Sequence, residues 1–374
     1  MFEFSENRLR VILSTMIVNF VKIFLPSVIA FVIGIGVTPL ITHYLYRNKM
    51  WKKKAGKIGL DGKETTVFNE LHKNKEVGTP KMGGIVIWLS TFLTVIVVYV
   101  LGKVLGIDFF EKLDFFSRNQ TWIPLSALII GSLVGLFDDF LDVRGSRDYI
   151  SGGLSLKKRL LVVSFIALVC ALWFYLKLGV SSIGLPVVGA FEIGWLFVPL
   201  FIIVTLGIYS GGVIDGIDGL AGGVFAAMFG AYAVIAFYQS QVDMAALSAT
   251  IVGSILAFLW FNIPPARFYM SDTGTMGLTL AIGTIAFMTD NLGGGVGIAV
   301  LPIIGFLLVA TVASDILQLI WKKVLGRKLL RIAPLHHHFE AIGWPGPKVV
   351  MRYWVLSVVF AFAGVILAIA AISS

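Results

Sequence analysis

Apolar runs of about twenty residues recur along the whole chain, and each is long enough to cross the hydrocarbon core of a bilayer as a helix. We place them at about 23–45, 82–102, 121–137, 159–178, 195–210, 219–238, 245–262, 275–290, 297–321 and 351–372. Lys22 and Pro26 put residues 11–22 at the interface, entering the first span rather than forming one. Ten such runs leave little of a 374-residue chain for anything else. Only 14% of the residues are charged and the mean hydropathy is +0.91, against about 25% charged in a typical soluble domain. A soluble fold of this length has too little interior to hide that much apolar surface. The reading is an all-α integral membrane protein, a single polytopic membrane domain over 1–374 with about ten transmembrane helices.

Lys and Arg in the connecting segments fix the orientation. Segment 47–81 holds ten, 138–159 five, 262–274 one and 322–352 seven, which is 23 of the chain's 30, all on one side of a ten-span arrangement. These loops, with 211–218, are expected at the cytoplasm and both termini outside. The net charge of +9 is then mainly a topology signal, compatible with holding membrane lipid or phosphate groups at the inner surface. Nucleic-acid binding is excluded as a reading, because no soluble basic domain exists to perform it. The single Cys170 offers no disulfide framework. The N-terminus lacks the short apolar core and small-residue cleavage site of a removed signal peptide. Residues 178–194, "LGVSSIGLPVVGAFEIG", alternate apolar and turn residues and predict a small outer β-hairpin. No inverted repeat of the transporter kind is visible.

Charge near a membrane is expensive, so its placement is informative. Asp138 and Asp139 end the third span in "GLFDDFLD"; Asp215 and Asp218 lie in "GGVIDGIDGLAGG"; Asp272 lies in "NIPPARFYMSDTGTMG". Lys75 and Thr79 come from "HKNKEVGTPKMGG", and His336, His337 and His338 from "RIAPLHHHFEAIG". Taken singly, each has an ordinary reading: a solvated span end, turn residues or a cap of the helix beginning near Leu220, a surface loop. Five separate loops nevertheless bring polar groups to one membrane depth on one face. Carboxylates with water access suit Mg²⁺, which takes one or two of them plus phosphate oxygens. Zinc is the rival because of the histidines, but consecutive side chains fan about 100° apart on a helix and alternate on a strand, so separate donors to a phosphate chain suit them better. Phosphoryl transfer asks mainly for positioning and for cations or N–H donors. The soluble phosphate-loop motif G-x-x-x-x-G-K-[ST] is absent.

In order and spacing, "GTPKMGG", "GLFDDF", "DGIDGLAGG", "NIPPARFYMSDTGT" and "APLHHHFEAIGWPGPKVVMRYW" resemble the signatures of the phospho-N-acetylmuramoyl-pentapeptide transferases, within the polyprenyl-phosphate N-acetylhexosamine-1-phosphate transferase superfamily. The resemblance covers about residues 23–372. It implies a multi-pass protein of the bacterial cytoplasmic membrane with an active-site cleft open to the cytoplasm. It further implies Mg²⁺-dependent transfer of phospho-N-acetylmuramoyl-pentapeptide from UDP-N-acetylmuramoyl-pentapeptide to undecaprenyl phosphate, giving lipid I and UMP for peptidoglycan. A homodimer is compatible with it. By position, Asp272 is similar to the magnesium ligand. Asp138 and Asp139 resemble the acidic pair near the lipid phosphate, one of them its general base. Asp215 and Asp218 resemble residues of the nucleoside and metal side, Asn262 a uracil-side contact and Gln318 a polar group near the nucleotide. His336, His337 and His338 resemble the triplet acting on substrate phosphates or in catalysis, with His337 the catalytic candidate. Lys75 and Thr79 resemble first-loop residues facing the cleft.

The chain departs from the family pattern in places. Gly212 stands where the family has Asn, Ser271 where it has Gly, and Thr275 where it has Ser. The family lysine of "GLSLKKRL" falls on Arg159, leaving Lys157 or Lys158 as its substitute; we assign Lys158 to substrate binding. Asp315, inside the ninth span, has no counterpart. Two other readings compete: a sister transferase using UDP-N-acetylglucosamine, against which the "APLHHHFE" block argues, and a cation-coupled transporter, which would spread polar groups through the bilayer depth.

Overall fold

The structure, a computed structural model, describes residues 2–52, 77–117, 120–145 and 153–373. Where no water reaches the backbone, a chain must satisfy its N–H and C=O groups within itself, so helices dominate. They are α1 (Phe2–Arg47), α2 (Ile85–Tyr99, prolonged by a wider turn over Val100–Val104), α3 (Asp108–Leu113), α4 (Trp122–Arg144) and α5 (Leu156–Lys177). After a β-hairpin come α6 (Phe197–Ser210), α7 (Leu220–Tyr238), α8 (Val242–Asn262), α9 (Ser271–Met288), α10 (Gly297–Ile304), α11 (Phe306–Leu325), α12 (Leu335–Ala341) and α13 (Gly346–Ser373).

Among the described residues, eight helical segments are long and apolar enough to cross a membrane, and α10 with α11 makes a ninth if the bent pair is one span. The expected ninth span, 297–321, is thus not straight: it bends by 68° between Ile304 and Phe306. Pro302 cannot donate to the helical ladder, and Gly305 follows at the break. The remaining expected span corresponds to α9, which is buried from Thr273 to Met288. Wrapped in protein on every side, it needs no lipid-facing apolar surface, and its threonines and glycines are tolerated there. The first helix also differs from expectation. It runs unbroken through Lys22 and Pro26, and Lys22 pairs with Asp243 at the start of α8 at 2.6 Å.

The helices α7, α8 and α9 form the centre, while α1, α5 and α13 lie at the periphery with most of their surface uncovered. Helices α4 and α9 approach closely. A Cβ on Gly135 would lie 2.0 Å from the Asp272 carbonyl oxygen, and one on Gly131 would meet Leu280 and the backbone of α9. Two glycines four apart let helix backbones touch, as small residues do in membrane helix pairs. That contact holds the start of α9 against the end of α4.

The hairpin is present as expected. Strands β1 (Ser182–Leu185) and β2 (Gly189–Glu192) pair antiparallel with Ser182 opposite Glu192 and Leu185 opposite Gly189. It sits at the opposite end of the bundle from the Asp138–Asp139 pair, tied down by the Gly184 N–H donating to Asp290 Oδ2 at 2.7 Å.

Candidate active site

An isolated helix start leaves its first N–H groups without partners and carries a partial positive charge. At the start of α9 no side chain of the helix itself caps those groups. Carboxylates from elsewhere do so. Asp139 Oδ2 accepts hydrogen bonds from Thr273 N–H at 2.9 Å and from its hydroxyl at 2.6 Å, and Asp215 Oδ2 accepts from Ser271 N–H at 2.7 Å. The acids on the α4 end and the α6–α7 loop therefore meet at one helix terminus. Asp272 projects from the same turn.

Two cations knit the acids together. Arg159, in the first turn of α5, reaches Asp138 Oδ2 with Nη2 at 2.6 Å and Asp272 Oδ2 with Nη1 at 3.1 Å. Its Nε donates to the Leu154 carbonyl at 3.0 Å, so the guanidinium fork is fixed in place. Leu154 N–H in turn donates to Asp138 Oδ1. Lys81 approaches Asp139 Oδ1 at 3.5 Å and pairs with Asp142. Burial works against the Lys81 charge, but Asp139, Asp142 and Asp272 outweigh it and raise its pKa, so it stays an ammonium. The segment before α2 is placed by backbone bonds to the loop preceding α9: Tyr269 N–H to Pro80 O at 2.8 Å and Gly83 N–H to Tyr269 O at 2.8 Å.

The histidines join from the other side. His336 and His337 are buried on the short helix α12, with ring centroids 4.4 Å apart. Both rest on Gly216, where a Cβ would lie 2.3 Å from His336 Nε2 and 2.7 Å from His337 Nε2. His337 Nδ1 is also 2.8 Å from Glu340 Oε2, which fixes the ring. His338 fans away as helical spacing requires, and its Nδ1 accepts the Arg331 N–H at 3.2 Å. A continuous path thus runs from His336 and His337 through Gly216 and Asp215 to Ser271, Asp272, Arg159 and Asp138.

Several sequence-predicted residues brace this arrangement. Asn262 accepts from Gly219 N–H at 2.9 Å and donates to the Phe268 carbonyl at 2.8 Å, joining the two acid-bearing loops. Asp218 accepts from Ala266 N–H at 3.2 Å and does not cap α7, whose N-cap is Gly219. Gln318 donates to Leu330 O at 3.1 Å and accepts from the Leu329 and Leu330 N–H groups at 3.0 and 2.9 Å, so its amide holds the loop before the histidines. Thr79 lies half-buried beside Pro80. Lys75 lies outside the described residues.

Arg159 turns in among the acids, while Lys158, assigned to substrate binding, is exposed on a groove between α4 and α5. Three participants were not singled out from sequence. Asp142 carried a signal, since it follows Asp138 by four residues and so shares its helix face. Thr273 adjoins Asp272, and Lys81 stands two residues after Thr79 in "GTPKMGG".

Four carboxylates, Asp138, Asp139, Asp142 and Asp272, face two cations here. When all are ionised, the surplus is two negative charges beside a helix N-terminus. Such a donor set of hard oxygens fits a divalent cation shared with substrate phosphates. Among the described residues no three His, Cys, Asp or Glu side chains already converge as a complete metal cage, and Mg²⁺ needs none.

Residues 121–290 match glycosyl transferase family 4. The phospho-N-acetylmuramoyl-pentapeptide-transferase of Anoxybacillus flavithermus is 34% identical over 341 residues, covering 90% of this chain and 95% of that protein. The chain belongs to the phospho-N-acetylmuramoyl-pentapeptide-transferase family. The Bacillus subtilis member is 33% identical, with 90% and 94% covered; the Rickettsia massiliae member is 32% identical, with 87% of each covered. The matched stretch 121–290 includes the loops that carry Asp138, Asp215 and Asp272.

Proposed function

We propose that this protein transfers phospho-N-acetylmuramoyl-pentapeptide from UDP-N-acetylmuramoyl-pentapeptide to undecaprenyl phosphate, releasing UMP and forming lipid I in the bacterial cytoplasmic membrane. The observation that carries the reading is the single cluster joining Asp138, Asp139, Asp272, Arg159 and the His336–His337 pair at one end of the bundle. The clustering of Lys and Arg in the loops at that end supports a site facing the cytoplasm.

In this reading a lipid phosphate oxygen attacks the phosphorus next to the sugar. A new phosphorus–oxygen bond forms, the bond to the bridging oxygen breaks, and UMP departs. Asp138 takes up any proton left on the attacking phosphate, because it shares Arg159 with Asp272 and so lies toward the cleft. Asp139 is occupied in holding the first turn of α9. Arg159 and Lys81 offset the charge of the converging phosphates. His336 and His337 donate toward the diphosphate, with Glu340 fixing the His337 ring. Asp272 would hold Mg²⁺, which when bound supplies charge stabilisation to the phosphate oxygens.

The test is UMP release by purified protein in detergent, given undecaprenyl phosphate and a panel of UDP sugars, with and without Mg²⁺. Release with UDP-N-acetylmuramoyl-pentapeptide alone, abolished by chelation and restored by Mg²⁺, is expected. Release with UDP-N-acetylglucosamine instead would assign the protein to the sister transferases.

A further inference from the structure

Helices α4 and α5 leave a groove of about 530 Å³ between them toward the acidic end of the bundle. Its walls are Ile130, Leu133 and Phe137 on α4 and Leu161 on α5, with Leu154 and Lys158 at the mouth. Ile130, Leu133, Phe137 and Leu161 are exposed, and the groove opens sideways into what the membrane would occupy. From Ile130 to Phe137 it runs about 10 Å along α4, at 1.5 Å per residue. Apolar walls take a hydrocarbon chain. A lysine at the end snorkels toward the surface and takes an anionic head.

The position of the mouth sets this groove apart. Leu154 lines it and gives its N–H to Asp138. Lys158 lines it, and the next residue, Arg159, turned by about 100° on the helix, contacts Asp138 and Asp272. An anion held by Lys158 is thus one residue from the guanidinium that ties the reacting acids together. A second groove, about 250 Å³ between α2 and α4 near the hairpin end, is lined by residues such as Val95, Tyr99, Phe116 and Trp122 and contains no Lys, Arg, Asp or Glu. Only the first couples a hydrocarbon path to a cation and to the acid cluster.

We propose that the α4–α5 groove is the docking path of the acceptor lipid: one isoprenoid chain lies along Ile130, Leu133, Phe137 and Leu161, and its phosphate monoester passes from Lys158 to Arg159. This rests on the function proposed above. Charge complementarity favours this occupant. A phosphate monoester carries about −1.5 to −2 at neutral pH and meets Lys158 at the mouth, with Arg159 one helical step further on beside the acids. A bulk phospholipid carries less charge and has no reaction to undergo beside Asp138.

The experiment places the photocrosslinking residue p-benzoylphenylalanine at Leu161 in the full-length protein. The protein is held in nanodiscs of phosphatidylethanolamine and phosphatidylglycerol doped with undecaprenyl phosphate, and adducts are identified by mass. A matched probe at Ile96 samples the second groove. At Leu161, undecaprenyl phosphate adducts should exceed their mole fraction at least ~10-fold, which corresponds to about 1.4 kcal/mol of preference. Lys158→Glu should abolish the excess, and at Ile96 there should be none. Lys158→Glu should also raise KM for undecaprenyl phosphate several-fold while leaving KM for the UDP donor in place. Capture at Leu161 in proportion to mole fraction, or an excess indifferent to Lys158→Glu, would overturn the proposal and assign the groove to bulk lipid. Wild-type UMP release, measured in the same discs, separates the two ideas. An active enzyme without enrichment removes the groove alone, and an inactive one removes the reading beneath it.

Discussion

Each end of this helix bundle buries aspartate, and the two ends do it differently. At the hairpin end, Asp290 is buried and accepts backbone N–H groups from Gly184 at 2.7 Å and Ile298 at 3.1 Å. Nearby, Gln239 and Gln241 donate to the Thr289 and Met288 carbonyls at 2.8 and 3.1 Å. These partners are backbone, and each bond closes a turn or ties two segments. At the other end, Asp138, Asp139, Asp142 and Asp272 share Lys81 and Arg159, and with all four ionised the charges do not balance. Hydrogen bonding to a backbone N–H stabilises a buried carboxylate and holds a loop. A surplus of buried negative charge is tolerated only where something positive or reactive comes to meet it. Burial alone does not distinguish a site; the identity of the partners does.

The comparison breaks first at Asp272. Asp272→Asn keeps the side chain's size and removes its charge, and UMP release should fall by about 10²–10³-fold or more, the range seen for loss of a transition-state electrostatic contact. Thermal stability in detergent should stay near wild type. Gly216→Ala comes next. Its new Cβ would press on His336 Nε2 and His337 Nε2, so turnover should drop at least ~10-fold through displaced rings. A further His337→Ala change should then cost less than it does in the wild type, because coupled sites are not additive. At the opposite end, Asp290→Asn should leave kcat within about two-fold. It should lower stability by about 1–3 kcal/mol, the penalty for upsetting a buried hydrogen-bonded group, read as an earlier thermal transition. Ser271→Gly should do least. Ser271 has φ 56, in the left-handed region where a Cβ is strained and glycine is not. Turnover should be unchanged and stability should rise by about 0.5–1 kcal/mol.

Much of this was legible in the sequence because bilayer thickness and loop charge are one-dimensional signals. The runs expected at 159–178, 219–238 and 245–262 are helices over Leu156–Lys177, Leu220–Tyr238 and Val242–Asn262, whereas the one expected at 121–137 continues past its acids to Arg144; the alternation in 178–194 forms the hairpin. The acids at Asp138, Asp139, Asp215 and Asp272 could be assigned to one end for the same reason. What was hidden depends on rotation and tertiary contact. Which of Lys158 and Arg159 turns inward is set by one helical step, and the sequence does not say where α5 faces. Adjacency in sequence groups His338 with His336 and His337, although the helix carries it away from Gly216. The 68° bend after Pro302 is hidden from a hydropathy window because both sides of the break are apolar enough to continue one span. The residue types of α9 are explained by neighbours on every side, which are invisible to a hydropathy window.

The central claim is that the unbalanced acid cluster, and not buried aspartate in general, performs phosphoryl transfer. It is tested most directly by single-turnover UMP release from wild type, Asp272→Asn and Asp290→Asn, reconstituted side by side with both substrates and Mg²⁺. The account predicts a burst of UMP from wild type and Asp290→Asn and almost none from Asp272→Asn. A full burst from Asp272→Asn, or an equal loss in both variants, would contradict it.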